Sequence, residues 1–330
     1  MDPSVYQVKY GGHRHLNEAG VFLNDLVAAA IQRDWRAIQF FLGPDSSHLN
    51  RRTLTSHEVT MTNDLCLAFN FQCYTHFPYK MNLCKPQSAR GLSGLNQELL
   101  EMGKIGGRIV VHPNSPAVKN GPSNSVSKEV YIGGDGDKLK KGCCEELTPK
   151  YGAKCARVCE EWVVQCDTAI DALVENLGKL RYAKNQQKYQ LLLEGCASEG
   201  QKICGTLEQM KAIATRVKHL PVGFCLDTCH CYASGLSKFD TIEAIDQFFK
   251  KLEDLKILEM VKLIHLNDSS DEFFSCKDRH EALGYGKIWG HSLKPLERLA
   301  YYCTLHKIDV ICEIGSSSDF EICHEIFKSR

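Results

Sequence analysis

Six short apolar runs in the sequence each end in an imidazole or a carboxylate. The terminal residues are His76, His112, Glu194, Asp227, His265 and Glu313. This mixture of nitrogen and oxygen ligands suits zinc or manganese. A single histidine at the end of a strand is usually a satisfied polar group, whereas six such residues in succession are hard to explain by packing. The pattern therefore predicts a metal site to which several strands contribute.

Two further clusters of ligand-type residues follow these runs. The segment Asp227-Thr228-Cys229-His230 leaves the sixth run, and its three-residue offset lets Asp227 and His230 face neighbouring metal centres. Asp278 and His280 follow the seventh run, and residues two apart in an extended segment can bind one ion. In isolation Asp278 and His280 would be ordinary loop residues. Their place after the strand-end set favours a ligand role.

The apolar runs alternate with helical patterns along the chain. Strands are predicted at Tyr6–Tyr10, Ala37–Leu42, Gln72–His76, Arg108–His112, Tyr189–Glu194, Val222–Asp227, Val261–Leu266 and Asp309–Glu313. Helices are predicted at Gly20–Asp34, Ser56–Ala68, Ser93–Met102, Gly152–Leu177, Leu207–Val217, Thr241–Leu255, Ser292–His306 and Phe320–Lys328. Eight strand–helix repeats predict an α/β protein with a (β/α)8 TIM barrel, in which active-site residues lie at the C-terminal ends of the strands. A doubly wound open sheet is the alternative, but no glycine-rich phosphate loop joins a strand to a helix.

One segment, residues 114–150, departs from this alternation. It is polar and rich in Gly, Ser and Lys, and it is too long for an ordinary connection between a strand and a helix. We therefore predict a single domain over residues 1–330, with a polar insertion over 114–150 after the fourth strand. Its basic run over 138–141 is more typical of a solvated loop than of a DNA contact.

Composition excludes several classes of protein. Hydrophobic residues make up 43% and charged residues 24% of the 330 residues, which excludes disordered and collagen-like chains. Forty basic residues balance forty acidic ones, so any attraction to nucleic acid must be local. The seventeen cysteines are predicted to be mostly small buried residues. Neither a secretory signal nor a membrane span is evident, so an intracellular protein of the cytoplasm or nucleus is expected.

Four segments carry a resemblance that covers most of the chain. They are Gly223–His230 (GFCLDTCH), Ile264–Ser269 (IHLNDS), Asp278–Gly286 (DRHEALGYG) and Lys9–His13 (KYGGH). Together they resemble the endonuclease IV family, the zinc-dependent apurinic/apyrimidinic endonucleases of base excision repair within the xylose-isomerase-like barrel superfamily. The similarity runs in order from about residue 8 to 325, and all nine ligand positions are filled. The resemblance implies a (β/α)8 barrel with three zinc ions.

The resemblance also implies which residues bind each ion, with Mn²⁺ as an alternative at one site. The first zinc would be bound by His76, His112 and Glu194. The second would share Glu194 and be completed by Asp227, His265 and Glu313, and these four residues are the catalytic candidates. The third would be bound by His230, Asp278 and His280.

The substrate implied by the resemblance is double-stranded DNA that contains an abasic site. Tyr79 matches a tyrosine that occupies the duplex at the lesion, His13 matches a histidine of the substrate pocket, and the Arg51-Arg52 pair could contact phosphate. The expected reaction is hydrolysis of the phosphodiester bond 5′ to the abasic site, which leaves a 3′-hydroxyl and a 5′-deoxyribose phosphate. Trimming of 3′ ends could accompany it, and the protein is expected to be a monomer without membrane association.

Three positions depart from the family pattern without removing a ligand. Gly195-Cys196 follows the bridging glutamate where a small polar pair is usual, Tyr285 stands where an acidic residue is common, and Gly315 stands where Thr or Pro is frequent.

Two other functions stay open. A metal-dependent sugar isomerase or epimerase of the same barrel superfamily needs only the set Glu194, Asp227, His265 and Glu313. A catalytically inactive DNA-binding relative could keep the barrel and use the insertion as a partner surface.

Overall fold

Eight parallel strands close into one barrel within the described part of the chain. The computed structural model describes residues 7–16, 21–44, 47, 49, 51–115, 153–184, 188–198 and 202–328. The barrel strands are β1 (Tyr10–His15), β2 (Ala37–Phe41), β3 (Gln72–His76), β4 (Arg108–Val111), β5 (Leu191–Glu194), β6 (Val222–Asp227), β7 (Val261–His265) and β10 (Asp309–Cys312). They pair in chain order, and β10 pairs with β1 to close the barrel. The predicted (β/α)8 TIM barrel is confirmed.

Helices connect these strands. They are α1 (Leu23–Gln32), α2 (Ser56–Ala68), α3 (Ser93–Lys104), α4 (Ala153–Gly178), α5 (Leu207–Val217), α6 (Thr228–Ala233), α7 (Ile242–Asp254), α8 (Lys294–His306) and α9 (Ser317–Phe327). The predicted helices agree with these bounds to within a few residues, whereas the short α6 was not predicted. The chain also forms an unpredicted antiparallel pair of two-residue strands, β8 (Asp268–Ser269) and β9 (His280–Glu281).

Local signals in the sequence explain where several helices begin. Thr55 accepts a hydrogen bond from the amide of Glu58, and the Glu58 side chain bonds back to the amide of Thr55, which forms a capping box at α2. Thr241 caps α7 through the amide of Ala244. Asp227 caps α6 through the amide of His230, so the residue that ends β6 also starts the next helix.

The position of the first strand was predicted wrongly. The predicted strand Tyr6–Tyr10 ends where the observed β1 begins, because β1 contains glycines and polar residues rather than an apolar run. Gly11 is needed there, since a Cβ atom at this position would lie 1.8 Å from the carbonyl oxygen of Ala37 in β2. The two strands approach so closely that only glycine fits at this position. The strand therefore lacks the apolar run by which the other strands were predicted.

Two separate clusters form the core. The larger cluster lies between the strands and the helices and includes buried residues of both. The smaller one contains residues of the barrel interior, of which Tyr189 lies just before β5 and the others lie on the strands: Ala37, Tyr74, Val110, Tyr189, Leu192, Cys225, Leu263 and Ile311. Among the cysteines whose side chains the structure describes, Cys66 is half-buried and the others are buried, as predicted. Residues 116–150 of the predicted insertion lie outside the described residues, so the insertion stays a prediction. None of the described helices combines the length and the apolarity needed to cross a membrane.

Candidate metal centre

The alternation of side chains along each strand explains how six ligand-type residues meet. Each of these six lies two positions after a residue of the inner cluster: His76 after Tyr74, His112 after Val110, Glu194 after Leu192, Asp227 after Cys225, His265 after Leu263 and Glu313 after Ile311. Residues two apart on a strand point to the same face. The six side chains therefore occupy the next layer of the same interior, at the C-terminal end of the barrel.

Glu194 lies at the centre of this layer. Its Oε2 atom is 3.0 Å from Nε2 of His76 and 3.1 Å from Nε2 of His112. Its other oxygen, Oε1, is 3.1 Å from Nδ1 of His265. Because its two oxygens face different histidines, Glu194 can belong to two metal sites at once.

The second group contains Glu194, Asp227, His265 and Glu313, whose ligand atoms lie within 4.8 Å of one another. Two amide side chains hold it in place. Asn267 donates from Nδ2 to Asp227 at 2.6 Å and to Glu313 at 3.0 Å. Gln39 donates to Oε1 of Glu313 at 3.0 Å and accepts from Nε2 of His265 at 2.8 Å, which leaves Nδ1 of His265 to face the carboxylates.

The third group contains His230, Asp278 and His280. Nδ1 of His230 donates to the carbonyl oxygen of Gly195 at 2.7 Å, which directs Nε2 towards Asp278 at 3.1 Å. Nε2 of His280 lies 3.2 Å from the other oxygen of Asp278. Asp278 is the most exposed of the three side chains, so this group lies at the open side of the centre.

These nine residues fit a cluster of divalent cations. Five imidazoles and four carboxylates form the donor set that zinc and manganese prefer. The Nε2 atoms of His230 and His280 are buried and have no hydrogen-bond partner, although each lies near a carboxylate oxygen. Buried polar atoms without a partner are rare. A cation bound between these atoms would satisfy both.

The pKa values of the histidines and of Glu194 reflect the close approach of imidazoles and carboxylates in this centre. Burial opposes a charged imidazole, yet Asp227 and Asp278 raise the pKa of His230 to about 10, and Asp227 likewise raises the pKa of His280 to about 9. Burial would raise the pKa of Glu194, but His112 and His265 hold it well below its ordinary value. By contrast, burial lowers the pKa of His112 to about 4, so this imidazole is neutral and able to bind a metal at neutral pH.

A pocket of about 490 Å³ opens above the centre, and its lining includes His13 and Tyr79. Tyr79 is 59% exposed, and its ring centroid lies 6.4 Å from that of His112. Nδ1 of His13 lies 3.3 Å from Nε2 of Gln39. Both residues therefore lie where the sequence predicted substrate contacts, and that role stays a prediction.

The two arginines predicted to contact phosphate differ in their surroundings. The Arg51 side chain is fully buried, and its Nε lies 2.6 Å from a carboxylate oxygen of the equally buried Glu98. Its guanidinium also lies 5.2 Å from the Phe77 ring, next to the ligand His76. Arg51 therefore supports the wall of the barrel, and the predicted phosphate contact is corrected for this residue. Arg52 is partly exposed and pairs with Glu58, and its phosphate contact stays a prediction.

The sequence analysis missed several residues of the centre. Gln39 lies two positions after Ala37 on β2, so the same alternation that identifies the ligands could have identified it. Asn267 lies two positions after His265 and could have been found in the same way. Cys229 was passed over as a ligand, yet its sulfur lies within 4.8 Å of ligand atoms of Asp227 and His280.

Comparisons with known proteins agree with this fold. The family model described as the xylose isomerase-like TIM barrel matches residues 143–325. A relative from Malacoplasma penetrans (strain HF-2), named "Probable endonuclease 4", is 25% identical over 288 residues, which cover 83% of this chain and 82% of the relative. A second protein of that name, from Thermosipho melanesiensis, is 40% identical over 130 residues, which cover 39% of this chain and 44% of the relative.

Solved structures show the same fold. Endonuclease IV from Thermus thermophilus has a TM-score of 0.64 at 22% identity, over 97% of this chain and 98% of that one. A D-tagatose 3-epimerase-like protein has a TM-score of 0.55 at 16% identity, over 97% and 96% of the two chains. At these identities the likeness concerns the fold alone.

The barrel and its strand-end ligands define a member of the xylose isomerase-like TIM-barrel class. The family match extends over more than half of the chain. The chain belongs to the endonuclease IV family within that class, as the resemblance of its motifs predicted.

Proposed function

We propose that this protein is an apurinic/apyrimidinic endonuclease. It hydrolyses the phosphodiester bond 5′ to an abasic site in double-stranded DNA, leaves a 3′-hydroxyl and a 5′-deoxyribose phosphate, and can also trim 3′ ends. The observation that carries this proposal is the arrangement of nine ligand-type residues in three adjacent groups, two of which share Glu194. The endonuclease names of the relatives indicate the reaction class.

The proposed cofactor is a set of three zinc ions, with Mn²⁺ as an alternative at one site. The three groups that would hold them are His76–His112–Glu194, Glu194–Asp227–His265–Glu313 and His230–Asp278–His280. When bound, such a cluster would activate the attacking water, neutralise the phosphoryl oxygens and stabilise the leaving oxygen.

The residues of the chain would have distinct tasks around this cluster. Glu194 would join the first two sites through its two oxygens. Asn267 and Gln39 would fix the carboxylate of Glu313, because each donates a hydrogen bond to one of its oxygens at 3.0 Å. Hydrogen bonds from such supporting residues orient ligands and tune metal affinity. The whole centre would then be rigid before DNA binds.

The proposed selection of abasic DNA follows from the limited access of a DNA phosphate to the metal centre. The Glu194 side chain is only 1% exposed and lines the pocket, so we expect that a phosphate in a straight B-form duplex does not reach it. The duplex must bend and the abasic sugar must leave the stack, which costs least where no base is paired. Tyr79 and His13 line this pocket and would contact the displaced sugar or the adjacent bases. Recognition would be independent of sequence, and the enzyme would act as a monomer.

An incision assay tests the proposal. Zinc-loaded protein is incubated with a duplex that carries one tetrahydrofuran abasic analogue, and a duplex of the same sequence without the analogue serves as the control. We expect one cut, 5′ to the analogue, that a chelator abolishes and added zinc restores. Binding of the duplex without incision, at full metal content, would support the inactive DNA-binding alternative instead.

The second candidate function is a sugar isomerase or epimerase. The four-residue group around Glu194 and His265 would suffice for it, and the barrel is shared with the D-tagatose 3-epimerase-like protein. Such an enzyme does not need the third group or the His76–His112 pair. One or two metal ions per chain, together with turnover of a ketohexose, would favour this alternative over the endonuclease.

A further inference from the structure

Lys202 lies in the pocket above the metal centre, in the loop that follows β5. The lining of this pocket includes the carboxylates of Glu194, Asp278 and Glu313. Among the described residues of the lining, Lys202 is the one lysine or arginine. The half-buried Lys202 therefore contributes a positive charge to a lining otherwise formed by candidate metal ligands, aromatic rings and one amide side chain.

The backbone beside Lys202 is fixed by hydrogen bonds between three loops. The amide of Ile203 donates to the carbonyl oxygen of Asn114, which follows β4, at 2.8 Å. The Nδ2 atom of Asn114 in turn donates to the carbonyl oxygen of Tyr79, which follows β3, at 2.9 Å. Ile203 itself is fully buried. These bonds connect the backbone next to Lys202, through Asn114, to Tyr79, the predicted lesion contact, and Lys202 and Tyr79 line the same pocket.

The pocket brings Lys202 together with the first ligand group. Its lining includes His76, His112 and Glu194 as well as Lys202. Cys196 lies next to this group, since its Sγ is 3.9 Å from Nδ1 of His112.

We propose that Lys202 binds a non-bridging phosphate oxygen of the nucleic-acid substrate, beside the first ligand group. The proposal rests on the proposed function, since it names a residue that would hold the substrate of that reaction. An anionic backbone must approach a pocket that already contains carboxylates, and a lysine ammonium is a compact positive charge that suits a phosphate oxygen. Lys202 would thereby supply the contact that the sequence analysis assigned to the buried Arg51.

The test compares three variants of the zinc-loaded protein. Lys202→Met removes the charge, Lys202→Arg keeps it, and Lys250→Met removes a lysine on α7 that pairs with Asp254. Affinity for the abasic-analogue duplex is measured over a range of salt concentrations, together with kcat, KM and zinc content. For Lys202→Met we expect KM and Kd to rise by roughly tenfold and the salt slope to fall by about 0.9. Zinc content should not change, Lys202→Arg should restore most of the affinity, and Lys250→Met should resemble wild type.

A second measurement separates this proposal from the proposed function. Binding of inorganic phosphate to the zinc-loaded protein is followed by calorimetry, and Lys202→Met should bind it roughly tenfold more weakly than wild type. A protein that incises no DNA but shows this loss refutes the endonuclease and supports Lys202 as a phosphate contact. Equal phosphate affinity in the two proteins, no phosphate binding by wild type, or loss of zinc in Lys202→Met would overturn the proposal.

Discussion

Replacement of Asp268 with asparagine should release the loop that carries Asp278 and His280. The Asp268 carboxylate is fully buried, three residues after the ligand His265. Its oxygens accept hydrogen bonds from the backbone amides of Ser269, Gly284, Gly286, Ile288 and Trp289, at distances from 2.8 to 3.4 Å. The same residue begins β8, which pairs with β9 and thereby positions His280. One carboxylate thus joins the end of β7 to the third ligand group.

The size of the effect of Asp268→Asn follows from the hydrogen bonds that each carboxylate oxygen accepts. Oδ2 accepts from the amides of Gly284 and Gly286, each at 3.1 Å, whereas Oδ1 accepts the shorter bonds from Ser269 and Ile288. An asparagine that keeps its oxygen on the side of Oδ1 turns an NH₂ group towards the two glycine amides. Two half-buried donors left without an acceptor cost at most about 1–3 kcal/mol each, or up to about 6 kcal/mol together. The loop can avoid this cost by a local change of conformation. We therefore expect loss of the third metal site rather than global unfolding.

Metal titration with elemental analysis measures this effect. Asp268→Asn should retain the ions of the first two groups and bind the third on the order of 100-fold more weakly, as about 3 kcal/mol implies. Glu272→Gln is the matched control in the same loop, because Glu272 forms an exposed ion pair with Lys287 at 2.9 Å. Exposed pairs contribute at most about 1 kcal/mol. Three ions bound with unchanged affinity in Asp268→Asn would refute the reasoning.

Four further predictions concern the ligands and their surroundings. Glu194→Gln should lose more than one metal ion per chain in elemental analysis, because its two oxygens face two ligand groups. Tyr79→Ala should lower incision by roughly 10- to 100-fold with full metal content, since stacking of an aromatic ring on a base contributes about 1–3 kcal/mol. Arg51→Met should destabilise the fold by about 3–5 kcal/mol in denaturant titration, because it leaves a buried carboxylate unpaired, and it should not change the salt dependence of DNA binding. Metal-free protein should lose stability as the pH rises from about 6.5 towards 10, because the pKa values of His230 and His280 are raised to about 10 and about 9 in the folded state.

Each of these predictions has an outcome that contradicts it. A Glu194 variant that loses one ion would mean that its carboxylate serves a single site. Wild-type incision by Tyr79→Ala would remove Tyr79 from the substrate surface, and loss of metal in that variant would indicate a packing role. A reduced salt slope in Arg51→Met would show that this guanidinium reaches DNA after all. For the pH series, thermal unfolding of zinc-loaded protein is the comparison, and an equal dependence in both forms would contradict the link to the two histidines.

The sequence by itself was sufficient for the barrel and for the placement of ligand-type residues at the C-terminal ends of its strands. The physical reason is that both depend on short-range order. Apolar runs that alternate with helical patterns define the strand–helix repeat, and the two-residue period of a strand places Glu194 on the same face as Leu192 and His265 on the same face as Leu263. The parallel strands then close into a barrel, which brings their C-terminal ends together independently of the loop conformations.

Tertiary structure alone decided which partners the other polar residues of the centre bind. Gln39 bonds to Glu313, which is 274 positions away in the chain, and no local pattern indicates that contact. Arg51 and Arg52 are adjacent and of the same type, yet only Arg51 is fully buried, because Glu98 lies opposite it. Such outcomes depend on which neighbours a folded chain supplies within hydrogen-bond distance. A buried charge is tolerated only where a partner compensates for its lost hydration, and the sequence does not show where that partner lies.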